Sequence, residues 1–472
     1  MAGQEGARAP QPPGHAASIE HGRANTPANT RDSAPASADV GRDDSEAGAL
    51  EAALEQLGPF GLYQRYMLVM LCIPSVLAAM YSLNYVFVAD QVPFRCVVPE
   101  CEGSSPPFSD QAAQALLPAD SCERYAPLHN ASLGACDRDN FLNSTIACNQ
   151  FVYETQDTTF AEFNLGCREW MRTMVGTVRN SALPFALILT GYVSDTFGRR
   201  TAFCIFASCM GVLGIVKGLS VNYYMYLAFE FLEAALGYGF TSAAYVMMIE
   251  MAHPSLRATF ACATGMAYGL GGVLFSWLAW RVRYWRHLLF TIHSFALLLP
   301  LYWLLVDESA RWLHVRGRTR ETAAVIRKAA MWNKVVLDDE VMKKLEQSDE
   351  ASVVQSARPS AWLSLLRSRV LAVRLALCAW CWVAVAFVYY GLTINSVSLS
   401  GDKYVNFALN MAMEIVASLL IMMALERFGR KRSIFCAFVL CGAACVTPYF
   451  ISEFLLRIRA VRGGVRHALL YQ

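Results

Sequence analysis

The chain has 472 residues, of which 55% are hydrophobic and 17% charged, and its formal net charge is +2. This near-neutral charge, without a basic patch interleaved with aromatic residues, excludes a nucleic-acid-binding protein. The sequence also lacks a metal-protease histidine pair, a nucleophile elbow and a phosphate-binding loop, so we expect no enzyme, no cofactor and no metal site.

Residues 1–57 form the first segment, and its first 50 positions are rich in Ala, Pro, Ser, Gly and charged residues. Such a composition cannot bury enough apolar surface to fold, so we predict a disordered tail. The segment lacks the apolar core of a signal peptide, and the first apolar run after it should therefore act as an uncleaved insertion signal.

Nine apolar runs follow the tail, and each is long enough to cross a bilayer core of ~30 Å as a helix. They cover residues 66–89, 173–193, 201–219, 223–248, 258–279, 287–306, 372–394, 404–424 and 433–452. The sequence therefore predicts an all-α polytopic membrane protein whose surface contacts lipid.

Lys and Arg residues are concentrated in alternate loops. The loops with this excess are 194–200, 249–257, 307–371 and 425–432. The positive-inside rule places these loops and the N-terminus in the cytoplasm, and it places loop 90–171 outside. Arg281, Arg283 and Arg286 fall outside in this arrangement and oppose the bias.

Loop 90–171 carries two further signs of an extracellular location. Asn130 and Asn143 each begin an Asn-x-Ser/Thr glycosylation sequence. An even number of cysteines in an oxidising compartment predicts three disulfides, with fifteen pairings left open. The cysteines are Cys96, Cys101, Cys122, Cys136, Cys148 and Cys167.

A short charged loop occurs twice. Asp195-Thr-Phe-Gly-Arg-Arg200 and Glu426-Arg-Phe-Gly-Arg-Lys431 share the order acid, two residues, Gly and two bases, and each lies between two predicted spans. Repeated helix bundles are characteristic of secondary transporters, in which the substrate site lies between the two halves. We therefore predict a six-span half over 58–306, cytoplasmic linker helices over 307–371 and a partial second half over 372–452.

The residues in and next to the first copy of this loop each have a predicted structural role. Gly191 would allow close helix approach, Gly198 permits the turn, and Asp195 can cap the next helix. Arg199 and Arg200 can pair with Asp195 or with a neighbouring helix end. Contacts made in only one conformation would bias a two-state equilibrium, as a conformational latch. The alternative is that the arginines only fix topology.

The stretch 191–200, GYVSDTFGRR, resembles the loop between the second and third spans of the major facilitator superfamily. The Cys-rich first loop and several short motifs resemble its organic cation, carnitine and organic anion transporter family. The motifs are Glu250 followed by Arg257, Tyr284-Trp-Arg286, Glu308-Ser-Ala-Arg-Trp-Leu313 and, closer to the cation branch, Tyr389-Tyr-Gly-Leu392 and Met413-Glu-Ile415. Asp307 and Ala310 stand where that family commonly has prolines.

The resemblance covers about residues 58–452 and implies a twelve-span plasma-membrane fold with alternating access around a central cavity. It extends the expected latch to further positions near the cytoplasmic loops. The latch residues are Gly191, Asp195, Gly198, Arg199, Arg200, Glu250, Arg257, Glu308, Arg311, Glu426, Gly429 and Arg430.

Glu414 is the main candidate for binding a substrate, because it lies in the middle of a predicted span. A carboxylate in a low-dielectric cavity attracts an organic cation, and ring faces add cation–π attraction. An internal ion pair is the alternative role for Glu414. The other candidates are Tyr245, Tyr268, Tyr389, Tyr390 and Asn395.

Four more charged residues fall inside predicted spans, where burial is costly. Arg179 either neutralises Glu230 or Glu233, which we favour, or holds an anionic or zwitterionic substrate. Lys217 lies near a span end, and we expect its ammonium to reach the interface. The pattern Gly265-x-x-x-Gly269 favours close packing inside one bundle over a dimer contact.

These features predict a carrier of small organic cations or zwitterions that works by alternating access. An organic anion carrier is one alternative, and a transport-incompetent receptor or regulatory isoform that binds through its outer loop is another.

Residues 453–472 form a basic tail. Nine spans from a cytoplasmic N-terminus place this tail outside the cell, which conflicts with the positive-inside rule. We therefore expect a truncated isoform or incomplete gene model that does not transport by itself. Homo-oligomer formation is left open.

Overall fold

The computed structural model describes residues 49–103, 106–114, 116–118, 122–128, 137–347, 367–397, 401–447 and 450. All of them belong to one compact unit that spans residues 46–472. Asn130, Cys136 and the basic tail 453–472 lie outside the described residues.

The described residues are mainly helical. The helices are α1 (49–56), α2 (Leu62–Leu83), α3 (Tyr85–Val88), α4 (Gln111–Gln114), α5 (Thr159–Glu162), α6 (Glu169–Ser181), α7 (Leu183–Phe197), α8 (Arg199–Gly218), α9 (Tyr223–Gly237), α10 (Gly239–Met251), α11 (Arg257–Arg281), α12 (Trp285–Ala296), α13 (Tyr302–Leu305), α14 (Ala310–Val315), α15 (Thr319–Asn333), α16 (Asp339–Gln347), α17 (Arg369–Ser396), α18 (Lys403–Phe428) and α19 (430–447).

Four short strands lie in the loop between the first two predicted spans, and they qualify the all-α prediction. They are β1 (Phe94–Cys96), β2 (Glu123–Pro127), β3 (Phe141–Ala147) and β4 (Phe151–Tyr153). β1 pairs antiparallel with β4, and β2 pairs antiparallel with β3. The loop is therefore a folded cap.

Two disulfides hold this cap together. Cys96 is bonded to Cys148, and Cys122 is bonded to Cys167, with Cα–Cα distances of 5.8 Å and 5.6 Å. These two pairs agree with the prediction of disulfides in the loop. A third pair remains a prediction, because Cys136 lies outside the described residues.

Seven helical stretches within the described ranges are long and apolar enough to cross a membrane. The second predicted span, 173–193, differs from the prediction because it is divided at Ala182 between α6 and α7. The α6 half carries Glu169, Arg172 and Arg179, so it is amphipathic rather than uniformly apolar. Residues 430–447 of the ninth predicted span form the helix α19.

The predicted disordered tail is wrong for residues 49–57. Residues 49–56 form α1, which buries Leu50, Ala53 and Leu57 in the main core. The Asn333 amide of α15 donates hydrogen bonds to the Leu57 carbonyl, at 3.0 Å, and to Gln64, at 2.8 Å. Three apolar residues on one face thus order this end of the segment, although its overall composition is polar.

The first half is packed around α8, which contacts α9, α10 and α12. Phe203 and Phe206 of α8 are buried with Phe240 of α10 and Leu289 of α12. The Phe203 and Phe240 rings meet edge to face, with centroids 6.1 Å apart. This core fixes the relative positions of the helices that carry the charged residues described below.

The two halves meet where α11 packs against α18. A Cβ placed on Gly265 would lie 2.7 Å from the Ser418 hydroxyl, and one on Gly272 would lie 2.4 Å from Met411. A Cβ on Gly269 would lie 3.0 Å from the Met411 carbonyl oxygen. The glycine stripe is therefore an intramolecular packing surface, as expected for Gly265-x-x-x-Gly269.

Candidate functional site

Tyrosines and one carboxylate lie along the seam between the two halves. Glu414 of α18 contacts the Gly269 face of α11, where a Cβ would lie 3.2 Å from the Glu414 Cβ. The Glu414 carboxyl is half-buried, and no basic side chain among the described residues forms an ion pair with it. Within the described part of the chain, the internal ion pair considered from sequence is absent, and the charge is left uncompensated.

Tyr268 of α11 and Tyr389 of α17 lie next to each other beside Glu414. The Tyr389 and Tyr390 rings meet edge to face with centroids 5.4 Å apart. The Tyr389 hydroxyl is buried next to Tyr268 and close to Glu414. Tyr389 thus links the carboxylate to the neighbouring tyrosines Tyr268 and Tyr390.

Tyr245 and Asn395 are the two remaining candidates for substrate contact. Tyr245 is 46% exposed on α10. Asn395 lines a cavity of about 910 Å³ on the side of the molecule that carries loop 90–171. Both halves contribute to this cavity. Its polar lining includes Asp90, Arg172, Thr173, Asn180, Asn395 and Lys403.

An ion pair that the sequence did not reveal joins the halves at this cavity. Lys403, at the start of α18, lies 2.5 Å from the Asp90 carboxylate, which follows α3. The two residues are 313 positions apart. No local spacing pattern could have indicated this contact.

The first copy of the charged loop is held by an acid from the linker. The Glu308 carboxylate accepts hydrogen bonds from the backbone N–H groups of Arg199, at 2.9 Å, and Arg200, at 3.1 Å. Glu308 therefore caps the N-terminus of α8. The predicted capping role of Asp195 is wrong, because α8 has no side-chain cap from its own loop and the Asp195 side chain is 74% exposed.

Arg199 connects this loop to the end of α10. Its guanidinium lies 2.9 Å from Asp195 and 3.1 Å from Glu250. Arg311 donates a hydrogen bond of 2.9 Å to the Glu250 carbonyl and pairs with Glu51 of α1. Glu250 thus pairs with Arg199, and this contact joins two residues of the expected latch.

Arg257, Gly191 and Arg200 are three further residues of the expected latch. The Arg257 Nε is buried without a hydrogen-bond partner among the described residues. Gly191 is exposed, and a Cβ there would meet nothing within 4 Å, so it does not serve close helix approach. Arg200 donates to the carbonyls of Trp303 and Val306 at a helix end, 3.3 and 3.4 Å away.

The second copy of the loop has the same turn, and its described residues show no comparable set of partners. Gly429 has φ 76° and ψ 164°, close to the φ 101° and ψ 158° of Gly198. A Cβ at Gly429 would meet nothing within 4 Å, and Arg430 is exposed. The side chain of Glu426 lies outside the described residues.

Five buried polar side chains meet inside the first half. Arg179 of α6 lies 2.7 Å from Glu230 and 3.1 Å from Glu233, both on α9. The expected neutralisation of these acids by Arg179 is confirmed. Lys217 of α8 lies 3.0 Å from Glu230 and also pairs with Glu233.

Lys217 is fully buried, so the expectation that it reaches the interface is wrong. Its ammonium is retained inside because two carboxylates compensate its charge. His293 of α12, which the sequence did not single out, completes the group with its Nε2 3.4 Å from Glu233. A lone histidine in an apolar helix carries no pattern that identifies it.

Arg286, one of the three arginines that oppose the positive-inside bias, is paired with a carboxylate of the cap. The Glu162 carboxylate accepts hydrogen bonds from the Arg286 Nε at 3.2 Å and from the Trp285 indole at 2.6 Å. Burial opposes ionisation of Glu162, but these hydrogen bonds outweigh burial and hold its pKa below the usual value. Arg286 is thus neutralised at the end of α12.

Comparisons with known proteins place these features in a family. The family model described as sugar (and other) transporter matches residues 141–464. The organic cation transporter protein of Drosophila melanogaster is 28% identical over 414 residues, which cover 84% of this chain and 74% of that protein. Solute carrier family 22 member 3 of Rattus norvegicus is 24% identical over 433 residues, which cover 85% and 76%.

Among solved structures, the xylose transporter XylE from E. coli, in a partially occluded inward-open conformation, aligns with a TM-score of 0.45. The sequence identity is 14%, and the alignment covers 78% of this chain and 75% of that chain.

Proposed function

This chain belongs to the sugar (and other) transporter family of the major facilitator superfamily, and on that premise we propose that it carries small organic cations or zwitterions by alternating access. It is a multi-pass membrane transporter, and its relatives include proteins named organic cation transporters. The site that we propose for the substrate consists of Glu414, Tyr268, Tyr389 and Tyr390.

The uncompensated charge of Glu414 is the observation that carries this proposal. The carboxyl is half-buried at the seam between α11 and α18, and the described residues supply no counter-charge. An organic cation would supply it, since attraction between opposite charges strengthens as water is excluded. The ring faces of Tyr268 and Tyr389 add cation–π attraction of ~0.5–2 kcal/mol and accept varied shapes.

Arg179 does not support the alternative of an organic anion carrier. Its side chain is 4% exposed and already paired with Glu230 and Glu233. An anion would have to compete with both carboxylates inside the bundle. The charge that remains uncompensated in the described seam is negative, which favours a cationic substrate.

The contacts around the first charged loop support a first half that moves as one body. Glu308, Arg199 and Arg311 tie α8, α10 and the linker helix α14 together. Among the contacts between halves are the α11–α18 seam and the Asp90–Lys403 ion pair. We propose that rocking of one half against the other breaks the Asp90–Lys403 pair. The contacts within the first half would stay intact during this motion.

For the membrane orientation, we propose a plasma-membrane protein with a cytoplasmic N-terminus. Two disulfides in loop 90–171 support an oxidising location for the cap. Asn143 of β3 is exposed and would be accessible to glycosylation there.

Uptake by the 472-residue chain in proteoliposomes tests the function. A carrier of cations should give saturable uptake of tetraethylammonium that other quaternary ammonium compounds inhibit and aromatic carboxylates do not. Inhibition by aromatic carboxylates alone would favour the anion carrier. Binding of tetraethylammonium without uptake would contradict transport by this chain and favour the receptor or regulatory form.

A further inference from the structure

The linker helix α15 ends against the first turn of α2. The Asn333 amide oxygen accepts a hydrogen bond from the Tyr63 backbone N–H at 2.9 Å. A Cβ placed on Gly61 would lie 2.2 Å from the Asn333 amide group. The rings of Trp332 and Tyr66 have their centroids 5.1 Å apart. These contacts hold the end of the linker helix at the start of the first membrane span.

Two spans place this contact at the level where the membrane meets water. The apolar stretch Leu62–Val88 starts with α2, and the apolar stretch Trp285–Leu305 ends with α13. The Tyr66 hydroxyl donates a hydrogen bond of 2.9 Å to the Leu305 carbonyl, so the start of one span lies beside the end of the other. Tyrosine and tryptophan are enriched at this depth of a membrane. Trp332 therefore lies at the membrane interface, although it belongs to a linker helix.

An exposed apolar stripe runs from this contact along α2. Leu62, Val69 and Ile73 are exposed, and their spacing of seven and four positions places them on one side of the helix. Each residue of a helix advances by about 100° around the axis, so Arg65 and Tyr66 lie on opposite sides of this stripe. The stripe can accommodate an acyl chain, whose headgroup would then lie between these two residues.

Two basic residues at this level have no acidic partner. Arg65 precedes Tyr66 in sequence, Lys334 follows Asn333, and both basic side chains are exposed. No carboxylate among the described residues forms an ion pair with either of them. Another lysine of α15, Lys328, is by contrast paired with Asp307. The interface therefore presents two positive charges that an anion can compensate.

We propose that an interfacial patch binds an anionic phospholipid; the patch consists of Leu62, Arg65, Tyr66, Trp332 and Lys334. The acyl chain lies along the exposed stripe of α2, and Arg65 and Lys334 hold the negative headgroup. With the cytoplasmic N-terminus proposed above, the patch faces the leaflet in which anionic lipids attract basic side chains. The bound lipid joins the linker to the first span, whichever substrate the carrier moves.

The chemistry of the patch favours a lipid over a soluble anion. Arg65 and Lys334 are both exposed to water, where an ion pair by itself is weak. An acyl chain adds the burial of apolar surface that a phosphate ion lacks. A zwitterionic headgroup brings its own positive charge, so a headgroup with a net negative charge, as in phosphatidylserine, fits the two basic residues better.

Native mass spectrometry of the full chain, titrated with phosphatidylserine in detergent, tests this proposal. Arg65→Gln combined with Lys334→Gln removes both charges from exposed positions, and an unchanged melting temperature verifies the fold. Arg320→Gln combined with Lys343→Gln is the matched control, because it removes the same charge from exposed positions of α15 and α16. We expect the first variant to bind phosphatidylserine about tenfold more weakly, or ~1.4 kcal/mol, and the control to bind like the wild type.

Equal binding of phosphatidylserine to the wild type and to the Arg65–Lys334 variant would overturn the proposal. An equal loss in the control variant would also overturn it, because binding would then depend only on total charge. Phosphatidylcholine should bind the wild type more weakly, and equal binding of the two lipids would contradict a charge-selective site. Inorganic phosphate at matched ionic strength should not displace phosphatidylserine, and displacement would show a site for soluble anions instead.

Discussion

The two charged loops have nearly the same sequence and the same turn but very different surroundings. Gly198 and Gly429 both adopt positive φ with extended ψ, and a new helix starts directly after each. Around Gly198, Glu308 caps α8 and Trp312 packs against the turn. Around Gly429, a Cβ would meet nothing within 4 Å.

This difference separates what local sequence determines from what packing determines. A glycine is needed in both loops because residues with a Cβ rarely adopt this backbone conformation. Among the described residues, the network of ion pairs and hydrogen bonds is found at the first loop, where Glu250 and Glu308 come from segments 51 and 109 positions away. The turn is thus a property of the motif, and the proposed latch is a property of the fold.

Substituting the two glycines should give the largest effect and the clearest contrast. Gly429→Ala adds only backbone strain, of order 1–3 kcal/mol. Gly198→Ala adds the same strain and places a Cβ 2.3 Å from the Glu308 carboxylate and 3.2 Å from the Trp312 ring. We expect Gly198→Ala to lower the melting temperature further than Gly429→Ala. Equal losses would show that the surroundings of the two turns do not matter.

Removing the cap from the first loop should have a smaller effect. Glu308→Ala leaves the N–H groups of Arg199 and Arg200 without their acceptor. Loss of a helix cap costs about 0.5–2 kcal/mol. Unfolding of Glu308→Ala should report a loss in this range. Glu321→Ala removes only an exposed ion pair with Arg318 on α15 and should report a smaller loss. A Glu308→Ala protein as stable as the wild type would contradict the capping role.

The pH dependence of the Glu51–Arg311 pair should be the smallest effect. A hydrogen bond from Arg311 lowers the pKa of Glu51 below its ordinary value of 4.5. A lowered folded-state pKa stabilises the protein above the ordinary pKa, and this contribution is lost as the pH falls through the lower folded-state value. The unfolding difference between the wild type and Glu51→Gln should therefore shrink as the pH falls below about 4.5. A difference in unfolding that grows as the pH falls would contradict this stabilising contribution of the pair.

The sequence predicted the parts of the structure that follow from local patterns. The repeat indicated both glycine turns, and the positions of Glu230 and Glu233 three residues apart indicated a shared partner in Arg179. The glycine spacing at Gly265 and Gly269 indicated the intramolecular seam. The turns and the glycine spacing depend on residues within one or two helical turns. Arg179 lies 51 positions from Glu230, and its pairing could be predicted because charges inside predicted spans are few and need a partner.

The expectations that were wrong depend on contacts between distant segments. Asp195 is adjacent to the start of α8, yet Glu308 caps it because the linker folds back onto the loop. Lys217 is near a helix end, yet two acids of another helix hold it inside. His293 and the Asp90–Lys403 pair gave no local signal. Charge partners far apart in sequence become predictable only when helix packing is known.

The charge of Glu414 is the centre of the proposed function, and equilibrium binding of radiolabelled tetraethylammonium to the full chain in nanodiscs tests it most directly. Glu414→Gln keeps the shape of the side chain and removes its charge, and Glu321→Gln is the control for loss of one carboxylate. We predict that Glu414→Gln raises the Kd about tenfold, or ~1.4 kcal/mol, with little change in melting temperature, and that Glu321→Gln binds like the wild type. An unchanged Kd in a folded Glu414→Gln protein would contradict the assignment of this residue to the cation site.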